Sequence, residues 1–270
     1  MATIQQVAYR QECQEHVERG YPQATQECID TCKFVNMKTL VNGCSFSRGP
    51  ISWPYHLQAV DQSQLINLAC AGAGNTYIFE STLQEICQRS YDMVLIMWTG
   101  ISRVDLLIED KNYFNDSAYT SAFQKTQNDW VEKIIEPIND QDYVNSDWIF
   151  GCGHINQEKF LTQTKVFEGI YRHVGPNQFL FHLGIKIIAL QSVLKYNKIP
   201  YIFMFYQPFD QEFKKYPYLF DNIDWNNFYV KQNIFSMAQK NQDFDDTNHP
   251  GLITNREWAQ LIDNQLYQGK

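Results

Sequence analysis

Lys38-Thr39-Leu40-Val41-Asn42-Gly43-Cys44-Ser45-Phe46-Ser47 passes from a short apolar run into a glycine and then into small and polar residues. Lys38 to Gly43 reads as a β-strand, and the serines at 45 and 47 sit in the loop that ends it. A strand that delivers a reactive side chain into a loop is the basic unit of an α/β enzyme. Working outward, Ser52 with Pro54 predicts a helix through Val60, Gln64 to Cys70 a second buried strand, and Gly74 to Arg89 a helix. Met93 to Thr99 is apolar almost throughout, which suits a parallel strand covered on both faces. Asn177 can cap a long helix to Tyr196, with apolar residues at 179, 180, 183, 187, 190 and 194. Tyr201 to Tyr206 then reads as a fourth parallel strand, and Asn255 to Gln265 as the last helix. Strands alternating with helices predict an α/β fold, a three-layer α/β/α sandwich around a parallel sheet.

The 270 residues fit one large domain with excursions, because single cores stop growing near ~250–300 residues. Residues 1–36 read as an N-terminal helical extension, broken at Gly20-Tyr21-Pro22, and residues 37–270 as the main domain. Two stretches do not fit the minimal alternation: about 105–176 and 207–244. Both are rich in aromatic, Asn and Asp residues and follow strand ends, where such folds place binding loops. Their aromatics, including Tyr113, Phe114, Trp130, Tyr143 and Trp148, then Tyr216, Tyr218, Trp225, Phe228 and Tyr229, are candidates to stack on sugar rings or line an acyl pocket.

A net charge of −8 with no Lys/Arg cluster argues against a nucleic-acid partner. The longest apolar runs fall far short of the ~18–20 residues that cross a bilayer, so no membrane span is expected. Met1 to Arg10 does not resemble a secretory signal, and seven cysteines form no disulfide framework, so the expected location is cytoplasmic. Cys28, Cys32 and His16 lack a second cysteine pair at finger spacing, so no metal site is expected.

A serine hydroxyl becomes a nucleophile only with a base in hydrogen-bond reach and a third group to orient that base. Asp246-Thr247-Asn248-His249 supplies both partners within one loop: Asp246 to bind the imidazole Nδ1–H, and His249 to turn Nε2 towards Ser45. Either signal alone is common in structural turns and helix caps. Together, and with Ser45 at a strand end, they point to a catalytic triad.

The pattern resembles the SGNH (GDSL-like) serine hydrolases, which carry short blocks in fixed order. Gly43-Cys44-Ser45-Phe46-Ser47 is similar to the first, with Cys44 where the family often has Asp. Asn67 to Asn75 is similar to the second, and Asp246 to His249 to the last, ahead of a terminal helix. The likeness covers about 37–110 and 198–268. It implies a flavodoxin-like sheet, hydrolysis of a carboxylic ester through an acyl-enzyme, and no cofactor. Ser45 would be the nucleophile, with Asp246 and His249 as acid and base, and the Ser45 and Gly72 N–H groups would form an oxyanion hole. The substrate class it favours is a small ester such as an O-acetyl group on a carbohydrate.

The third block departs. Where the family has Gly-x-Asn, this chain has Gly100-Ile101-Ser102, so no Asn stands ready to donate to the oxyanion. Ser102 or Thr99 would supply a hydroxyl instead, with Asn75 as a further candidate. Arg103 either pairs with Asp105 beneath the site or binds an anionic group of the substrate. The same departure suits two alternatives: an inert binding or structural protein that docks a partner through residues 1–36, and an acyltransferase using the same serine.

Overall fold

The computed structural model describes residues 37–101, 103–107, 148–151, 176–207, 209–229, 231–246 and 249–268. The extension at 1–36 and most of the 105–176 stretch lie outside them, as do Tyr113, Phe114, Trp130 and Tyr143. Five parallel strands form the main sheet: β1 (Thr39–Asn42), β2 (Leu65–Asn67), β3 (Met93–Trp98), β6 (Tyr201–Phe205) and β7 (Phe228–Tyr229), in the order β2-β1-β3-β6-β7. Every residue of β1, β3 and β6 is buried, as expected of interior parallel strands. This is an α/β fold.

Alternation along the strands sorts side chains into two hydrophobic clusters. Leu40, Val94, Ile96, Trp98 and Phe203 join one, together with Tyr77 and Ile78 of α1 (Asn75–Gln88) and Leu183, Ile187 and Leu190 of α2 (Pro176–Tyr196). Val41, Leu95, Met97 and Met204 join the other, with Ile234 and Met237 of α5 (Ile234–Asn241) and Trp258, Ile262 and Leu266 of α6 (Leu252–Gln268). By length and composition α2 is long and apolar enough to cross a bilayer, although no single run in the sequence is. Its Leu180, Leu183, Ile187, Leu190 and Leu194 are buried in the first cluster.

Three expectations change. The stretch expected as a helix from Ser52 to Val60 is a 3-10 turn, Trp53–His56, followed by irregular, bending chain. Side chains of α6 satisfy its backbone: the Trp53 N–H donates to Asn255 Oδ1 (2.9 Å), and the Gln58 and Ala59 N–H groups donate to the Asp263 carboxylate (2.8 and 3.0 Å). Donors already spoken for from outside have no need of a helical ladder.

The 207–244 stretch contributes regular elements and part of the core. It holds α3 (Asp210–Phe213), α4 (Pro217–Phe220), β7 and α5, and it buries Phe213, Leu219, Ile223 and Phe228. Gly184 of α2 permits this contact, because a Cβ there would come within 2.9 Å of Leu219 and 3.1 Å of Phe213. Finally, β4 (Val104–Leu107) pairs antiparallel with β5 (Trp148–Gly151) in a separate two-stranded sheet that the alternation did not suggest.

Candidate active site

Ser45 opens a 3-10 turn, Ser45–Ser47, three residues beyond the end of β1. Polar side chains from several elements hold this turn. Asn42 accepts from the Gly43 N–H (2.8 Å), and its Nδ2 donates to the Ile78 carbonyl of α1 and to Ser81 and Thr82 (3.2, 2.8 and 2.9 Å). Asn67 at the end of β2 donates to the Ser47 carbonyl (2.8 Å), and Trp53 Nε1 donates to Ser47 Oγ (3.1 Å). Gly43 is required by close approach, since a Cβ would stand 2.5 Å from Ser47 Oγ and 3.2 Å from the Met97 carbonyl. The loop is thereby fixed while Ser45 itself remains half-buried.

His249, 204 residues further along, lies with Nε2 2.7 Å from Ser45 Oγ. Its loop is closed by the antiparallel bridge between Phe244 and Pro250 and by the Asp245 N–H donating to the His249 carbonyl (2.8 Å). Asn255 fastens the loop to α6 by donating to the Pro250 and Gly251 carbonyls (2.7 and 3.0 Å). The imidazole packs against Phe46, ring centroids 5.2 Å apart, so the residue after Ser45 also steadies the His249 ring.

The carboxylate facing His249 differs from the sequence expectation by one residue. Asp245 Oδ1 accepts from the His249 N–H (3.0 Å) and stands 4.0 Å from Nδ1, whereas Asp246 is exposed at the turn. The bridged loop sets residues 245 and 249 opposite one another across its base and leaves 246 at the tip. At 4.0 Å the Asp245 carboxylate lies beyond hydrogen-bond reach of Nδ1.

On the other side of Ser45 runs the loop from Leu68 to Gly74. It is tied to β1 and Gly43 through Leu68 N–H to the Val41 carbonyl (2.8 Å) and Cys70 N–H to the Gly43 carbonyl (3.2 Å). Gly72 has φ of +81°, a turn conformation that glycine adopts without strain. Helix α1 follows with Gly74 as N-cap, which has no side chain to satisfy the first N–H groups. Asp105 of β4 supplies the missing acceptor, taking the Gly74 N–H (2.6 Å) and the Tyr77 N–H (2.8 Å). A Cβ at Gly74 would overlap that carboxylate, 2.6 Å from its nearer oxygen. Burial pushes Asp105 up to about 6, against the backbone donors and Arg103, which pull it down.

The candidates for a side-chain oxyanion donor fare unequally. Asn75 is committed to backbone: its Nδ2 donates to the Thr99 and Gly100 carbonyls (3.2 and 3.3 Å), and its Oδ1 accepts from the Thr99 N–H (3.0 Å). It splices α1 to the end of β3 instead of leaning into the cleft. Thr99 is fully buried, its hydroxyl shut away from solvent. Ser102 lies outside the described residues. Arg103 Nη1 donates to the Ala73 carbonyl (3.2 Å), placing the guanidinium beside the Gly72 turn. Of the aromatics in the second stretch, Trp225, Phe228 and Tyr216 pack in the first cluster and Tyr229 in the second, while Tyr218 is exposed.

Sequence reasoning missed the cap by Asp105, the brace by Asn42, and Tyr206, whose ring meets Phe46 edge-on at 5.1 Å. Asp245 was visible as the first of two adjacent aspartates, but nothing in the sequence ranked it above its neighbour. Among the described residues, no group of three or more His, Cys, Asp or Glu side chains is placed to hold a metal ion. Chemically, the arrangement sets a hydroxyl against an imidazole at proton-transfer distance, with a carboxylate behind the imidazole. No protein-family model matches this chain, and no curated protein matches it.

Proposed function

We propose that the protein is a serine hydrolase of the SGNH (GDSL-like) type acting on a carboxylic ester. The observation that carries this reading is the 2.7 Å contact between Ser45 Oγ and His249 Nε2, made across 204 residues of sequence at the carboxyl end of β1. Parallel α/β sheets present their ligand sites at that end. Numbered by chain order within the sheet, the strands run 2-1-3-4-5 with helices contributing to both clusters, which supports a flavodoxin-like, three-layer assignment.

In the proposed reaction, Ser45 Oγ attacks the ester carbonyl carbon as His249 Nε2 takes the serine proton. The negative charge collects on the carbonyl oxygen beside the Ser45 and Gly72 N–H groups. Collapse breaks the bond to the alcohol, which leaves with the proton from His249. Water then attacks the acyl-serine as His249 takes one of its protons, and collapse breaks the acyl–Oγ bond, releasing the acid while His249 returns the proton to Ser45 Oγ. Asp245 stabilises the intermediate imidazolium, a role first expected of Asp246. The substrate class to test first is a small acyl ester, with carbohydrate O-acetyl groups foremost. The buried aromatics of 207–244 lend that preference no support.

The commitment of Asn75 and the burial of Thr99 favour one rival, an inert binding protein on the same fold. Hydrolysis of p-nitrophenyl acetate and of O-acetylated sugars by the full chain, against Ser45→Ala, separates the two. Ser45-dependent release of acetate is expected. Equal rates in the two proteins would sink the hydrolase reading.

A further inference from the structure

With Asn75 committed to backbone and the Thr99 hydroxyl buried away from solvent, the proposed oxyanion site needs a side-chain donor from a different element. Tyr206 directly follows β6, and its N–H donates to the Trp98 carbonyl (3.2 Å), which carries β6 alongside the last residues of β3. Its own carbonyl accepts from the Phe235 N–H (3.3 Å), so the backbone is held on both sides. The ring lies edge-on to Phe46 at 5.1 Å, and Phe46 in turn contacts His249 at 5.2 Å. These contacts hold the ring at the carboxyl end of the sheet, against the residue that follows Ser45.

The hydroxyl lies 3.1 Å from where a Cβ at residue 100 would stand. Gly100, by having none, leaves the phenol its place next to the end of β3, the strand end from which the family's pattern draws its donor. Among the described residues the Tyr206 hydroxyl makes no hydrogen bond, although the residue is half-buried. A phenol in that position can give its proton to a ligand oxygen. Burial also raises its pKa, which keeps the hydroxyl protonated at neutral pH.

We propose that the Tyr206 hydroxyl is the third oxyanion donor, hydrogen-bonding the ester carbonyl oxygen as it becomes negative. The assignment rests on the serine-hydrolase reading above. It makes Tyr206 a catalytic residue that forms no covalent bond, and it explains how a chain lacking the third-block Asn could retain activity.

Tyr206→Phe removes the hydroxyl and leaves the ring against Phe46. The test measures kcat and KM for p-nitrophenyl acetate on the full chain, with Ser45→Ala as background and thermal melts of all three proteins. A kcat lower by about 10²–10³-fold, with KM within about twofold and an unchanged melt, is expected, because the contact strengthens in the transition state. A kcat within about threefold of wild type, or a change confined to KM or to the melt, overturns the role of Tyr206 and leaves the hydrolase reading standing. Absence of Ser45-dependent turnover in the wild-type protein overturns both.

Discussion

The two loops that meet at Ser45 and His249 are built differently. The nucleophile loop is tied into the sheet: Asn42, Asn67 and Trp53 reach it from β1, β2 and the following turn, and Gly43 sits against the backbone of β3. The base loop is a local device, closed by the Phe244–Pro250 bridge and fastened by Asn255. Serine placement is therefore inherited from the fold, whereas histidine placement depends on a few residues around one turn. Damage to the first should cost stability and activity together. Damage to the second should cost activity with little stability.

The largest expected effect treats both loops alike. Ser45→Ala and His249→Ala should each lower kcat/KM by roughly 10⁴-fold, and the double variant should be little worse, because the pair acts as a unit. Multiplying losses in steady-state assays would break the pairing. Next comes the nucleophile side alone. Asn42→Ala strands the buried Gly43 N–H, so urea melts should show a loss of roughly 1–3 kcal/mol along with reduced activity. A full-stability variant that is merely slow would contradict the claim that the fold fixes this loop.

A third effect concerns the cap on α1. Asp105 is raised from 3.8 to about 6 in the folded chain, so the folded state holds this proton at pH values where the unfolded chain has lost it. The stability this contributes is complete below about pH 4 and lost as pH rises through about 6. Against Asp105→Asn, the wild-type protein should lose about 3 kcal/mol between those limits, as read by paired denaturant melts. A flat difference would show that the backbone donors and Arg103 cancel the effect of burial, and a slope of opposite sign that they outweigh it.

The smallest effect sharpens the base loop. Asp245→Asn should lower kcat about tenfold, modest because the carboxylate stands 4.0 Å from Nδ1, and Asp246→Asn less than about twofold, with melts nearly unchanged. The reverse ranking would return the acid role to Asp246.

What was legible in the sequence follows from the same contrast. Strands β1, β3 and β6 and helices α1 and α2 were readable because continuous burial and helical spacing leave a residue-level imprint. Two-residue β7 has no period to read, and the turn at Trp53–His56 escaped because Asn255 and Asp263, some two hundred residues away, satisfy its donors. At the site, Ser45 and His249 could be singled out by chemistry and by order. The choice between Asp245 and Asp246 depends on how a short bridged loop closes, and the Asp105 cap depends on β4 meeting α1. Neither leaves a local pattern.

The central claim is that His249 activates Ser45. A fluorophosphonate probe, followed by peptide mass spectrometry, tests it on the intact chain and on His249→Ala. The account predicts labelling at Ser45 in the wild-type protein and loss of nearly all of it in the variant. No label at Ser45, or labelling equally fast without His249, would contradict it.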